Sequence, residues 1–169
     1  MGGSVKIYVI GSLKNEKVPL LAESIRALGH TVFDDWKAAH VEADQVMWAY
    51  EQKRGHSYKD ALRGLSAQNQ YQFDKRLLDM SDLAIVVMEA GRSAHLEAGY
   101  MAGLGKPVYV LFSEGYPSRM DIMYNLLTDF FENEEELLAE LRRLDGREVG
   151  PKISGSSRTG FYVEQRPID

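Results

Sequence analysis

The chain has no cysteine in its 169 residues, so disulfides, thiolate nucleophiles and cysteine-ligated zinc are excluded. Histidine is scarce as well: four copies are scattered without the close spacing of a metal site, and neither a metal nor a cofactor is expected. No apolar run approaches the roughly 18 to 20 residues that cross a bilayer. The opening MGGSVKIYVIG runs into strand-like sequence without a basic leader, so a cytoplasmic location with no membrane partner is expected. Basic residues are neither in excess nor clustered. A net charge of −5 opposes attraction to a phosphate backbone and argues against a nucleic acid polymer as partner, while a few local groups could still hold a small anion. Internal repeats and low-complexity tracts are absent.

What is present is an ordinary globular composition, 44% hydrophobic and 27% charged, at a length that suits one domain. Lys6 to Gly11 is a β-rich apolar run ending in Gly-Ser, which reads as a buried strand. Leu20, Leu21, Ile25 and Leu28 recur at helical spacing, Gly29 stops that helix, and Thr31 to Phe33 begins a second strand, a unit that favours a parallel sheet. Trp36 to Gly55 reads as one or two short helices. Ser57 is a helix cap, and Leu62, Leu65, Asn69, Phe73 and Leu77 predict one apolar helix face running to about Met80. Leu83 to Met88 has the unbroken apolarity of a central parallel strand. A helix over Ala94–Leu104 and a strand over Pro107–Phe112 follow. Leu126 to Phe131 is a fifth strand or a helix, and Glu134 to Leu144 is amphipathic. Residues 145–169 are rich in Gly, Ser, Pro and charge, and a tail is expected there, flexible or docked on a neighbouring subunit.

In open α/β sheets ligands bind beyond the carboxyl ends of the strands, which draws attention to the loops after Gly11, Asp35, Met88 and Phe112. Gly11 and Ser12 are therefore candidate substrate contacts. The segment Glu89 to Glu97 (EAGRSAHLE) places glycine and a helix N-terminus together, a setting in which Gly91, Arg92 and Ser93 can hold a phosphate or carboxylate. Glu97 lies about one turn into that helix, where a carboxylate can attack an anomeric carbon. On spacing alone, a solvent-facing glutamate that complements the helix dipole is the commoner explanation. Asp74, on the preceding helix, can reach the same cleft and bind sugar hydroxyls, or be an exposed helix aspartate. Tyr8 can aim its hydroxyl at a carboxylate and Trp36 can stack on a base, but ordinary core packing accounts for either ring equally well. Trp48, Tyr50 and Tyr58 are expected to shape the base pocket with Trp36. His95 stands about 200° around the helix from Glu97 and is expected to have no catalytic part.

Taken together, KIYVIGS at 6–12, QNQYQFDKRLLDMSDLAIVVM at 68–88 and GRSAHLEAGYMAGLGKPVYVL at 91–111 resemble the nucleoside 2-deoxyribosyltransferase superfamily. That superfamily includes nucleotide N-glycosidases acting on deoxynucleoside monophosphates or CMP. The resemblance spans residues 5–144 and implies an α/β fold: a three-layer, Rossmann- or flavodoxin-like doubly wound sheet of about five mainly parallel strands. It implies that Glu97 attacks C1′ to form a covalent glycosyl-enzyme, that Asp74 contacts sugar and base, and that Tyr8 orients the nucleophile. It also implies a homodimer or higher oligomer with shared active sites, in which Met123, Tyr124 and Asn125 reach a neighbour. One departure stands out. The transferases carry an acidic residue five or six positions before the nucleophile, where this chain has Arg92 and Gly91, so the leaving base must be protonated from elsewhere, with Asp74, Glu89 and water as the candidates. Gly91-Arg92-Ser93 resembles the phosphate-holding loop of the monophosphate hydrolases more closely. The expected substrate is thus a nucleoside or nucleoside 5′-monophosphate. A TIR-like NAD glycohydrolase and a non-catalytic nucleotide-binding module are the rival readings.

Overall fold

The computed structural model describes residues 3–38 and 42–144. The expected tail over 145–169, with its aromatic Arg158 to Val163 segment, lies outside the described residues.

Five short apolar segments form one parallel sheet: β1 (Lys6–Ile10), β2 (Thr31–Phe33), β3 (Leu83–Val87), β4 (Val108–Leu111) and β5 (Asp129–Phe131), in the order β2-β1-β3-β4-β5. Strand β3 is buried at every position, as a strand covered on both faces must be. The order reverses between β1 and β3, where Ile7 pairs with Leu83 and Ile10 with Val86. Among the described residues, six helices, α1 (Lys17–Ala27), α2 (Ala43–Lys53), α3 (Tyr58–Arg63), α4 (Leu65–Met80), α5 (Arg92–Gly103) and α6 (Glu134–Leu144), complete the α/β fold.

Because successive strand residues point to opposite faces, β1 divides its side chains between two cores. Ile7 and Val9 join Leu21 and Ile25 of α1 and Leu137 and Leu141 of α6. Tyr8 and Ile10 join Leu78 of α4 and Ala94, Ala98 and Met101 of α5. The small residues on α5 bring that helix close to the sheet.

Several elements differ from expectation for local reasons. In α1 the buried stripe is Val18, Leu21, Ala22 and Ile25, whereas Leu20 points outward at 67% exposure. The single helix expected from Ser57 to Met80 is two helices. Ser57 caps α3 through a capping box with Asp60, and Gly64, in extended backbone, ends α3 and starts α4. Helix α5 begins at Arg92, two residues earlier than read, with Gly91 as its N-cap. Leu126–Phe131 resolves into the end of a 3-10 turn (Ile122–Leu126) and the edge strand β5.

The apolar stripe expected on α3–α4 is largely uncovered: Leu62, Leu65 and Phe73 are exposed, and Leu78 alone is buried in α4. What lies against part of that stripe is a cavity.

Candidate active site

Helices α2, α3, α4 and α5 enclose a cavity of about 630 Å³, within the size range of small-molecule sites. From α4 it receives Gln70, Tyr71, Asp74, Lys75 and Leu78, and from α5 Ser93, Leu96, Glu97 and Tyr100. Helix α2 adds Asp44, Met47 and Trp48, and α3 adds Tyr58 and Leu62. The Trp48 and Tyr58 rings meet edge to face, 5.5 Å between centroids, giving one wall a fixed aromatic surface.

Glu97 and Asp74, read from separate helices, thus line one space. Asp74 accepts hydrogen bonds from the Gln70 amide on both carboxylate oxygens, at 3.1 and 3.2 Å. Burial raises the Asp74 carboxyl above its ordinary value, the Gln70 bond opposes that rise, and the charge of Asp44 adds to it. Glu97 has no side-chain hydrogen bond or ion pair among the described residues. Its carboxyl is pushed up to about 7, first by burial and then by the negative charge of Asp74. A carboxyl held there changes protonation in the neutral range, where a nucleophile or proton carrier is useful.

Tyr8 is completely buried on β1, and its hydroxyl has no hydrogen-bond partner in the structure. Burial and then the charges of Glu97 and Asp74 raise its ionisation well above the ordinary phenol value. The group therefore stays an O–H donor, close enough to both carboxylates to feel their charges. A buried donor without an acceptor is costly, and this one is held beside the two carboxylates by a central strand.

The remaining candidates divide. Ser93 lines the cavity, while Gly91 and Arg92 are exposed at the start of α5 just above it. Ser12 lines a second cavity of about 320 Å³ beyond the ends of β1, β3 and β4, with Lys14, Lys17, Glu89 and Ser113. Lys17 is bound there to Ser113 and Glu114 at 3.1 Å each. Gly11 is a packing position, since a Cβ on it would stand 2.6 Å from Val18 Cγ2. Trp36 donates from Nε1 to the Val9 carbonyl at 2.8 Å and packs against both cores, so its ring is committed to the fold. Asn125 donates to the Ile122 carbonyl within its own turn, at 2.7 Å. His95 bonds the Gly91 carbonyl at 2.7 Å and the Tyr124 hydroxyl at 3.0 Å, stacking on that ring; it ties α5 to the 3-10 turn and does not line the Glu97 cavity.

Five contributing residues were not anticipated. Gln70 holds Asp74, and its place four residues before the aspartate on one helix was a readable signal. Asp44 has no such signal. Lys75, Asp79 and Tyr100 form a closed set at the rim: Lys75 donates to Asp79 at 2.6 Å and to the Tyr100 hydroxyl at 3.0 Å, and Tyr100 donates to Asp79.

No family model matches the chain, and no curated protein matches it in sequence. Among solved structures it is similar to a 2-deoxyribosyltransferase from the psychrotolerant bacterium Bacillus psychrosaccharolyticus, with a TM-score of 0.52 and 18% identity over 78% of this chain and 89% of that one. It is also similar to a conserved protein from Enterococcus faecalis V583, with a TM-score of 0.58 and 17% identity over 83% of this chain and 99% of that one. At such identities the likeness is one of fold, and the chain shares its fold with a 2-deoxyribosyltransferase.

Proposed function

We propose that this chain is an enzyme that cleaves or transfers the N-glycosidic bond of a nucleoside or nucleoside 5′-monophosphate. The observation that carries the proposal is Glu97, a carboxylate without a hydrogen bond or ion pair among the described residues, facing a cavity it shares with Asp74 and lying within the electrostatic reach of the buried Tyr8 hydroxyl. In its ionised form Glu97 attacks C1′. The C1′–N bond breaks with its electron pair leaving on the base, and a glycosyl ester forms. Water or a second base then displaces the carboxylate, and two displacements at one carbon retain configuration. Asp74, accepting on both oxygens, fits a role at the sugar hydroxyls. The Tyr8 O–H is available to orient Glu97. Ser93, with the free N–H groups at the start of α5, offers a place for a 5′-phosphate.

The shared fold with a 2-deoxyribosyltransferase supports this reading. Incubation with a panel of nucleosides and nucleoside 5′-monophosphates, with and without an acceptor base, is expected to release free base. Glu97→Gln is expected to reduce release at least about 10³-fold, some 4 kcal/mol of barrier. Full activity in Glu97→Gln, or ligand binding with no base release on long incubation, would sink the proposal.

A further inference from the structure

The charges lining the Glu97 cavity are one-sided. Asp44, Asp74 and Glu97 contribute three carboxylates. Lys75, the one cation among the described lining residues, has its ammonium bound to Asp79 and Tyr100. The same lining is aromatic in part, with Trp48 and Tyr58 in contact. Negative charge and aromatic rings lining one cavity make an environment for a cation. The unpartnered, fully buried Tyr8 hydroxyl near Glu97 and Asp74 is a further polar group awaiting a ligand-bound arrangement.

Among the described lining residues, the groups that could protonate a departing base are mostly engaged or exposed. Asp74 accepts from Gln70 on both oxygens, the Tyr100 proton is given to Asp79, and Asp44, Tyr58 and Tyr71 are exposed. A neutral purine or pyrimidine leaves C1′ with an extra electron pair and needs a proton. A base that already carries a positive charge does not.

We infer that this site takes nucleosides whose base already carries a positive charge, such as N7-alkylated purines, because its carboxylates, its Trp48–Tyr58 wall and the few free acids among its described lining residues all fit a charged leaving group. The inference rests on the glycosidic function proposed above. In the step itself the Glu97 oxygen bonds to C1′ and the C1′–N9 bond breaks. Its electron pair passes to N9 and cancels the ring's positive charge, so the alkylated base leaves neutral without gaining a proton. Water then displaces Glu97 from C1′ and sheds one proton to solvent, regenerating the carboxylate.

The test compares N7-methylguanosine with guanosine, and their 2′-deoxy forms, at mildly acidic pH where the methylated base keeps its charge. Base release is measured by chromatography with the spontaneous rate subtracted. The cationic member is expected to have a kcat/KM at least about tenfold higher. Because methylation weakens the glycosidic bond chemically, binding is measured as well. The inactive Glu97→Gln protein is expected to bind N7-methylguanosine more tightly than guanosine, and adding Asp44→Asn is expected to weaken the cation's binding about two- to fivefold, more than it weakens guanosine's. Equal or better Glu97-dependent release and binding with guanosine would overturn the cationic-base inference and leave the glycosidic function standing. No release from either pair nor from the wider nucleoside panel would overturn the function, and the inference with it.

Discussion

The two faces of the sheet are built from the same parts to different ends. On one face, α1 and α6 press complete apolar stripes onto the strands, and Leu21, Ile25, Leu137 and Leu141 are at most 1% exposed. On the other face, α5 packs closely through Ala94, Ala98 and Met101, but α4 buries only Leu78, and the space beneath α2 and α3 holds carboxylates. The first face is where apolar area removed from water stabilises the chain. The second leaves some of that stabilisation unrealised, and the charged groups there are destabilised in the form that chemistry requires.

Leucine truncation gives the largest stability contrast. Leu21→Ala, in the closed core, is expected to cost about 2–5 kcal/mol in denaturant unfolding. Leu62→Ala, at a position 56% exposed beside the cavity, is expected to cost less than about 1 kcal/mol. Similar losses at the two positions would erase the distinction between the faces.

A smaller effect, of opposite sign, belongs to Glu97. Its folded-state carboxyl is raised from 4.5 to about 7, so between those values the folded protein holds a proton that the unfolded chain has released. Stability falls as pH rises through this window. Glu97→Gln removes the penalty, and it is expected to stabilise the protein by about 1–2 kcal/mol above pH 7, after discounting for partial exposure. The gain should vanish below pH 4.5, where the carboxyl is protonated in both states. Unfolding of the two proteins at pH 4 and pH 8 reads this directly.

The smallest effect sharpens the link between the two carboxylates. If ionised Glu97 is the nucleophile, kcat/KM should rise with pH through a midpoint near 7. Asp74 is the second cause of that raised value, so in Asp74→Asn the midpoint should move to lower pH by a fraction of a unit, whatever happens to the absolute rate. An unmoved midpoint would assign the acidic limb to another group.

Much of this architecture was legible in the sequence, because apolar runs and helical periodicity are local signals. The runs at Lys6, Leu83 and Pro107 became the central strands, and the Ser57 cap sits where its residue type predicts. The break at Gly64 was not legible, since the periodicity of Leu62, Leu65 and Asn69 is the same whether the helix continues or bends there. At the site, spacing alone left Glu97 and Asp74 as ordinary helix acids. They share a cavity because α4 and α5 pack on the same face of the sheet, a long-range fact that the order of helix and strand allowed and the family resemblance favoured. Trp36 shows the converse. Its partner is the Val9 carbonyl, 27 residues away in sequence, and no local pattern around the tryptophan announces that bond.

The covering over the cavity is loosely moored. Helix α2 buries a single residue, Glu51, whose carboxylate is bound by Arg54 and His56 of the following turn, and α3 buries only Ala61. Regions with so little buried apolar surface open at a small fraction of the global unfolding free energy. A solute can thus be admitted or released by a local excursion of some twenty residues, while the sheet, the α1–α6 layer and the Tyr8 strand keep their amides closed to exchange.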